Sequence, residues 1–257
     1  MEENNQVTGE EITQQVEPLS KFEAISGVIT APSDTFETIA VTPKTNYWIM
    51  PTLLFMVAAL IGAFLFLNDT ELVTKTMDKR KADIQKGLDE KVKAGDLTQE
   101  QADQQMAVTE PFLDPNGWFV KVTGYGANII SPFFLLFFMS VLILIIMKIM
   151  RSPISFYNIL NVVGLSLTIF AISSVVTSII SVLMGDLQTL GPGLILSEES
   201  VGAKAYAVLS GIDVFSIWAI AVMSIGLSKL GKVSLTSVAV TLYGVWLLLT
   251  VVRGLLT

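Results

Sequence analysis

One residue in this sequence invites chemistry by its position. Asp213 is the only ionisable side chain well inside a long apolar run, residues 205–228. A carboxylate near the middle of a membrane-crossing helix costs about 2.5–3.5 kcal/mol to insert, so it requires hydrogen-bond partners or a proton. At matching depth, the preceding apolar run carries Ser173, Ser174 and Thr177, and the following one carries Tyr243, Trp246 and Thr250. These side chains offer hydroxyl and indole groups but no base. The expectation is a polar cluster in which Asp213 is hydrogen-bonded, or protonated because desolvation raises its pKa. Such a group would act as a proton or cation site, or as a polar clamp that fixes helix packing.

Other chemistries fall away on composition. The chain has no histidine and no cysteine, which removes imidazole bases, thiolate nucleophiles and the usual zinc or haem ligands. A serine-type intramembrane protease lacks its base, and a paired-aspartate type needs a second acid within the apolar runs. No enzyme activity and no cofactor are expected. The 16 basic residues are interleaved with 23 acids, so there is no clustered basic face and no nucleic-acid partner is expected.

The elements that must position Asp213 are set by the bilayer. With 52% apolar and 15% charged residues, the chain reads as an all-α polytopic membrane protein, and the lipid bilayer is its environment. A helix crossing the hydrocarbon core needs about 20 mainly apolar residues, because every backbone group must be satisfied internally. Five runs meet this: residues 47–67, 127–150, 156–184, 205–228 and 233–252. Pro132 lies near the start of the second, where a missing amide proton costs least. The uncharged stretch 152–185 exceeds the core thickness, so tilt, a protruding end or a break is expected, with 156–184 as the main span. The turns at 148–152 and 228–232 are short enough to force antiparallel helical hairpins. Ala207, Gly211, Ala221, Gly226 and Gly244 offer surfaces for close helix approach.

The polar regions have their own pattern. Residues 1–18 read as a disordered acidic tail. Across residues 19–46, Leu19, Phe22, Ile25 and Ile29 recur at near-helical spacing, and Ser33 is placed to cap a second short helix over 36–41. This amphipathic segment is expected at the cytoplasmic membrane surface, either covering the end of the bundle or contacting a protein or lipid. Residues 68–126 form a charged insertion. Dense opposite charges at helical spacing, Asp89 with Lys93 among them, run over 71–94, and Gly95 ends that stretch. Thr98 and Gln101 then open a second helix to about Val108. A soluble helical hairpin follows, serving as a spacer or a second candidate contact for a protein partner. Phe112, Pro115, Trp118 and Phe119 mark re-entry into the interface.

Lysine and arginine set the expected orientation. The short turns hold Lys148, Arg151, Lys229 and Lys232, which places them, and the amino terminus, in the cytoplasm and the carboxyl terminus outside. The insertion opposes this with eight basic residues; long segments can translocate despite their charge, and this one is near the ~60-residue limit of the rule's force. No cleavable signal peptide is expected, and the first span would target the chain.

Several short motifs carry a resemblance. They are Gly27-Val28-Ile29-Thr30-Ala31-Pro32 followed by Phe36 and Ile39, then Pro51, and Asp213-Val214-Phe215-Ser216-Ile217-Trp218 followed by Gly226. Over about residues 22–67 and 127–252 the chain resembles the Yip (Ypt-interacting protein) family, in particular its prokaryotic-type members, with 47–254 as the membrane domain. That resemblance implies five spans, a cytoplasmic amino terminus and no known enzymatic activity. In a prokaryote it implies the cytoplasmic membrane. Eukaryotic relatives are associated with small GTPases and vesicle transport. The chain departs from them in lacking their Asp-Leu-Tyr and Gly-Tyr type motifs and in carrying the charged hairpin. The resemblance implies a scaffold or adaptor; Asp213 keeps open the alternative of a small transporter or channel component.

Overall fold

The computed structural model describes residues 17–256, so the tail expected over residues 1–18 lies almost wholly outside the described residues. Among those described there are helices and turns but no strands. The chain opens with two short helices, α1 (Lys21–Thr30) and α2 (Pro32–Val41). Ser20 and Glu23 cap α1 reciprocally: the Ser20 amide donates to the Glu23 carboxylate and the Glu23 amide donates to the Ser20 hydroxyl. The expected Ser33 cap is not formed. Pro32 occupies the first helical position, where its fixed φ and missing N–H are tolerated, so Ala31 stands at the N-cap without a side-chain bond. Ala24, Ile25, Val28, Phe36 and Ile39 are buried in the main core of the bundle. The segment therefore forms a collar seated on one end of the helices.

Among the described residues, five helices are long and apolar enough to cross a membrane. The first, α3 (Ile49–Asn68), leads into the polar hairpin of α4 (Thr70–Ala94) and α5 (Gln99–Thr109). Gly95 closes α4 in the left-handed conformation, and Thr98 with Gln101 opens α5 through the expected capping box. Asp89 accepts from Gln85 one turn earlier in α4.

The second crossing helix, α6 (Trp118–Ile149), is longer than expected. Its 32 residues span about 48 Å at 1.5 Å per residue, so its first turns stand outside the hydrocarbon and pack with the hairpin. Pro132 consequently lies in the helix interior, and the expectation that it sits near a helix start is corrected. Helix α7 (Phe156–Met184) has the expected bounds. The Ser155 hydroxyl caps its start and Gly185, left-handed, ends it.

Helix α7 is the centre of the bundle. It packs against α3, α6 and α1, and against the fourth crossing helix, α10 (Val214–Gly231). Residues Ile159–Ile169 of α7 are buried without a break, as an all-round apolar helix with neighbours on every side must be. Before α10 come the four-residue α8 (Glu198–Val201) and α9 (Ala203–Ser210). The last helix, α11 (Leu235–Leu256), packs on α10 and α9. Both expected antiparallel hairpins are present, α6 with α7 and α10 with α11. Their turns also meet each other. The buried Ser152 hydroxyl donates to the Gly231 carbonyl at 2.7 Å, across 79 residues of sequence.

Candidate functional site

The fourth span is not one helix over 205–228. It is interrupted at Gly211 and Ile212, and Asp213 lies outside the helix interior as the N-cap of α10, in extended backbone. Its Oδ1 accepts from the amides of Phe215 at 3.0 Å and Ser216 at 2.9 Å, and its Oδ2 accepts from the Ser216 hydroxyl. The physical cause is competition. An aspartate oxygen satisfies the first free amides of a helix better than a residue in mid-helix could, and its charge complements the positive end of the helix dipole. The neighbouring backbone supports the break. The Val214 amide donates to the Leu190 carbonyl, and Gly211 lies so close to α11 that a Cβ there would stand 2.8 Å from Thr250 Cγ2.

The expected polar cluster around Asp213 does not assemble. Thr177 returns its hydroxyl proton to the Ser173 carbonyl, and Ser178 does the same to that of Ser174. Tyr243 reaches α10 but donates to the Ile217 carbonyl at 2.7 Å, with Trp246 packed edge-on against its ring. Thr177, Ser178, Tyr243 and, on the Trp246 carbonyl, Thr250 each satisfy a backbone carbonyl, the usual solution inside an apolar phase. Since α10 spans about 27 Å from its cap onward, Asp213 marks the end of a crossing segment.

Of the residues that carried the family likeness, Pro32, Phe36, Pro51 and Gly226 lie at the collar, whereas Asp213, Phe215 and Trp218 lie at the other end of α10. Phe36 of α2 is fully buried, with its ring tip on Gly226 of α10 and Val162 of α7 beside that glycine. Pro32 starts the same helix, and Pro51 is buried in the first turn of α3. From the α10 motif, Phe215 is buried and Trp218 packs against the main core. Gly226 thus serves the close approach expected of it, whereas Gly244 faces open space.

Polar contacts fix the collar to the bundle. The Lys229 ammonium lies 2.7 Å from the Glu37 carboxylate and, by hydrogen bond and charge, holds that carboxyl below its ordinary value. Tyr47, buried at the foot of α3, donates its phenol to the Leu19 carbonyl, and burial, with a smaller contribution from Glu23, pushes that phenol up. The Lys44 ammonium donates to the same carbonyl. Asn161, fully buried on α7, donates its amide to the Lys44 carbonyl. Sequence reasoning passed over Asn161, although an amide inside an apolar run is a signal of the same kind as Asp213. The outward side of the collar leaves Phe22 71% and Val41 64% exposed.

At the other end, the hairpin docks on the bundle. Lys75 bridges to Asp186 at 3.2 Å and donates to the Gly185 carbonyl that closes α7. Beside this contact a polar cleft of about 380 Å³ is lined by Lys79, Arg80, Asp83, Tyr206 and Ser210.

Comparison with known proteins gives the family. The sequence model of the Yip1 domain matches residues 26–256, from within α1 to the end of α11. Searches of the curated proteins and of the solved structures give no match. With nearly its whole length matched and five helices able to cross a bilayer, the chain belongs to the Yip1-domain family and is a multi-pass membrane protein.

Proposed function

We propose that this protein is a non-enzymatic membrane scaffold or adaptor, related to membrane organisation or trafficking, that displays its collar to a protein partner on the cytoplasmic side. The observation that carries the reading is the division of the collar into two faces. One face is locked into the bundle by Phe36 and Ile39, and the other leaves Phe22 and Val41 exposed on helices that the core holds in place. A rigidly presented apolar residue loses little entropy on docking, which favours recognition. Under this reading the amino terminus is cytoplasmic, the carboxyl terminus is outside, and the hairpin of α4 and α5 lies outside as a spacer or a second contact. The basic turns that hold Lys148, Arg151, Lys229 and Lys232 support that orientation.

The geometry favours the adaptor over a transporter built on Asp213. A carrier's ion site is expected near the bilayer midplane at a helix break. Here the break stands at the end of a full crossing helix, and both carboxylate oxygens are engaged by the α10 amino terminus. The test is affinity recovery of the full chain in mild detergent. Removing residues 19–41 abolishes partner recovery, whereas Asp213→Asn leaves it intact; the opposite pattern contradicts the proposal.

A further inference from the structure

A second cavity, of about 520 Å³, opens at the hairpin end between the last turn of α3, the start of α6 and the base of α4. Leu67, Met77, Phe112, Phe119, Gly124 and Ala127 give it mainly apolar walls, and Phe112 and Phe119 close one side with their rings edge to face at 4.6 Å. Two of its walls belong to membrane-crossing helices, so the slot sits where hydrocarbon meets headgroups. It has one charged lining residue, Arg80. The Arg80 guanidinium forms no ion pair among the described residues, whereas Lys75 and Lys81 on the same helix pair with Asp186 and Glu110. Arg80 also lines the polar cleft next to the slot, beside Lys79.

An unpaired guanidinium at the mouth of an apolar slot at membrane depth matches one ligand chemistry. We propose that the slot holds an acyl chain of a phospholipid from the leaflet on the hairpin side, with the lipid phosphate on Arg80. Arginine presents a planar fork of donors to phosphate oxygens, and the volume lies in the range of small-molecule sites. In the adjoining cleft Asp186 is held by Lys75, and Lys79 and Arg80 outnumber the remaining acid, Asp83, so a headgroup carrying its own cation is disfavoured and the site selects an anionic phospholipid. This inference concerns the hairpin end and does not depend on the role of the collar.

The experiment is native mass spectrometry of the full chain from detergent micelles holding equal phosphatidylglycerol and phosphatidylcholine of the same acyl composition. The expected result is one retained phosphatidylglycerol, favoured about tenfold or more. Arg80→Gln reduces retention to the phosphatidylcholine level, and Lys121→Gln, which removes an exposed charge from the first turns of α6 outside the slot, changes nothing. Ala127→Phe fills the slot and removes retention with Arg80 intact, so the test survives if Arg80→Gln fails to fold. Soluble glycerol phosphate at millimolar concentration does not displace the lipid. Equal retention of both lipids, retention by Ala127→Phe, or displacement by glycerol phosphate overturns the proposal.

Discussion

The ring of Phe36 stands where a side chain at Gly226 would have to go: a Cβ there would lie 2.9 Å from Phe36 Cζ and 2.7 Å from Val162 Cγ1. This contact joins α2 to α10 across 190 residues of sequence and makes the collar part of the folded bundle. Gly226→Leu forces the ring out and costs about 1–3 kcal/mol by overpacking. Phe36→Ala leaves a cavity and costs about 3–5 kcal/mol. Both variants show faster proteolysis of α1 and α2 in detergent, while the membrane-crossing helices remain protected.

The ion pair between Glu37 and Lys229 gives the collar a pH dependence of known sign. The Glu37 carboxyl is held below its ordinary 4.5 in the folded protein, and that of Glu23 is lowered by the Ser20 hydroxyl and amide. A depressed folded value stabilises above the unfolded value and loses that contribution as pH falls through the folded one. Collar proteolysis, followed with an acid-active protease, is therefore flat from neutral pH down to about 5 and rises below about 4.5. The effect is small because the pair is exposed. Glu37→Gln lessens the rise, with the remainder due to Glu23.

Asp213 acts as a cap, and its substitutions separate by geometry. Asp213→Ala removes both amide partners and destabilises by about 0.5–2 kcal/mol. Asp213→Asn keeps an acceptor for the Phe215 and Ser216 amides and costs less. Thermal unfolding in one detergent, read by circular dichroism, gives the order wild type, Asn, Ala. An Asn variant less stable than the Ala variant contradicts the capping role.

Two glycines of crossing helices differ in surroundings. A Cβ on Gly164 would lie 2.4 Å from Trp48 Cβ and 2.5 Å from its Cα, so Gly164→Ala pushes α7 away from α3. Gly244 has nothing within 4 Å. Gly164→Ala lowers the unfolding midpoint by the equivalent of about 1–3 kcal/mol, and Gly244→Ala leaves it unchanged or slightly raised.

These contacts show why some features could be read in the sequence and others could not. The bounds of α7 follow from local signals, a capping Ser155 and a terminal Gly185, and those of the hairpin from Gly95, Thr98 and Gln101. The break before α10 has a local signal too, an aspartate with Ser216 three residues on. It is hidden because hydropathy continues across residues 205–228, and an apolar average cannot tell a cap from a buried acid. The start of α6 at Trp118 was obscured because its first turns are polar enough to resemble loop. The contacts of Phe36 with Gly226, Asn161 with Lys44 and Ser152 with Gly231 join distant segments, and no local pattern encodes them.

Orientation is read by single introduced cysteines at exposed sites. Ser152 is buried and hydrogen-bonded to Gly231, so Lys148→Cys in the α6–α7 hairpin and Ala82→Cys on α4 are the suitable positions. An impermeant thiol reagent applied to intact cells labels the second and spares the first. Labelling of Lys148→Cys alone reverses the proposed topology.

The most direct test of the adaptor reading compares partner recovery by the full chain with that of two variants. In Phe22→Glu combined with Val41→Glu, the exposed face of the collar is changed and its buried face is kept; in Asp213→Asn, only the cap is changed. The predicted result is that the first loses the recovered partner with its fold intact, while the second recovers it as the wild type does. Unimpaired recovery by the collar variant, together with pH-dependent flux in proteoliposomes that vanishes in Asp213→Asn, would contradict it.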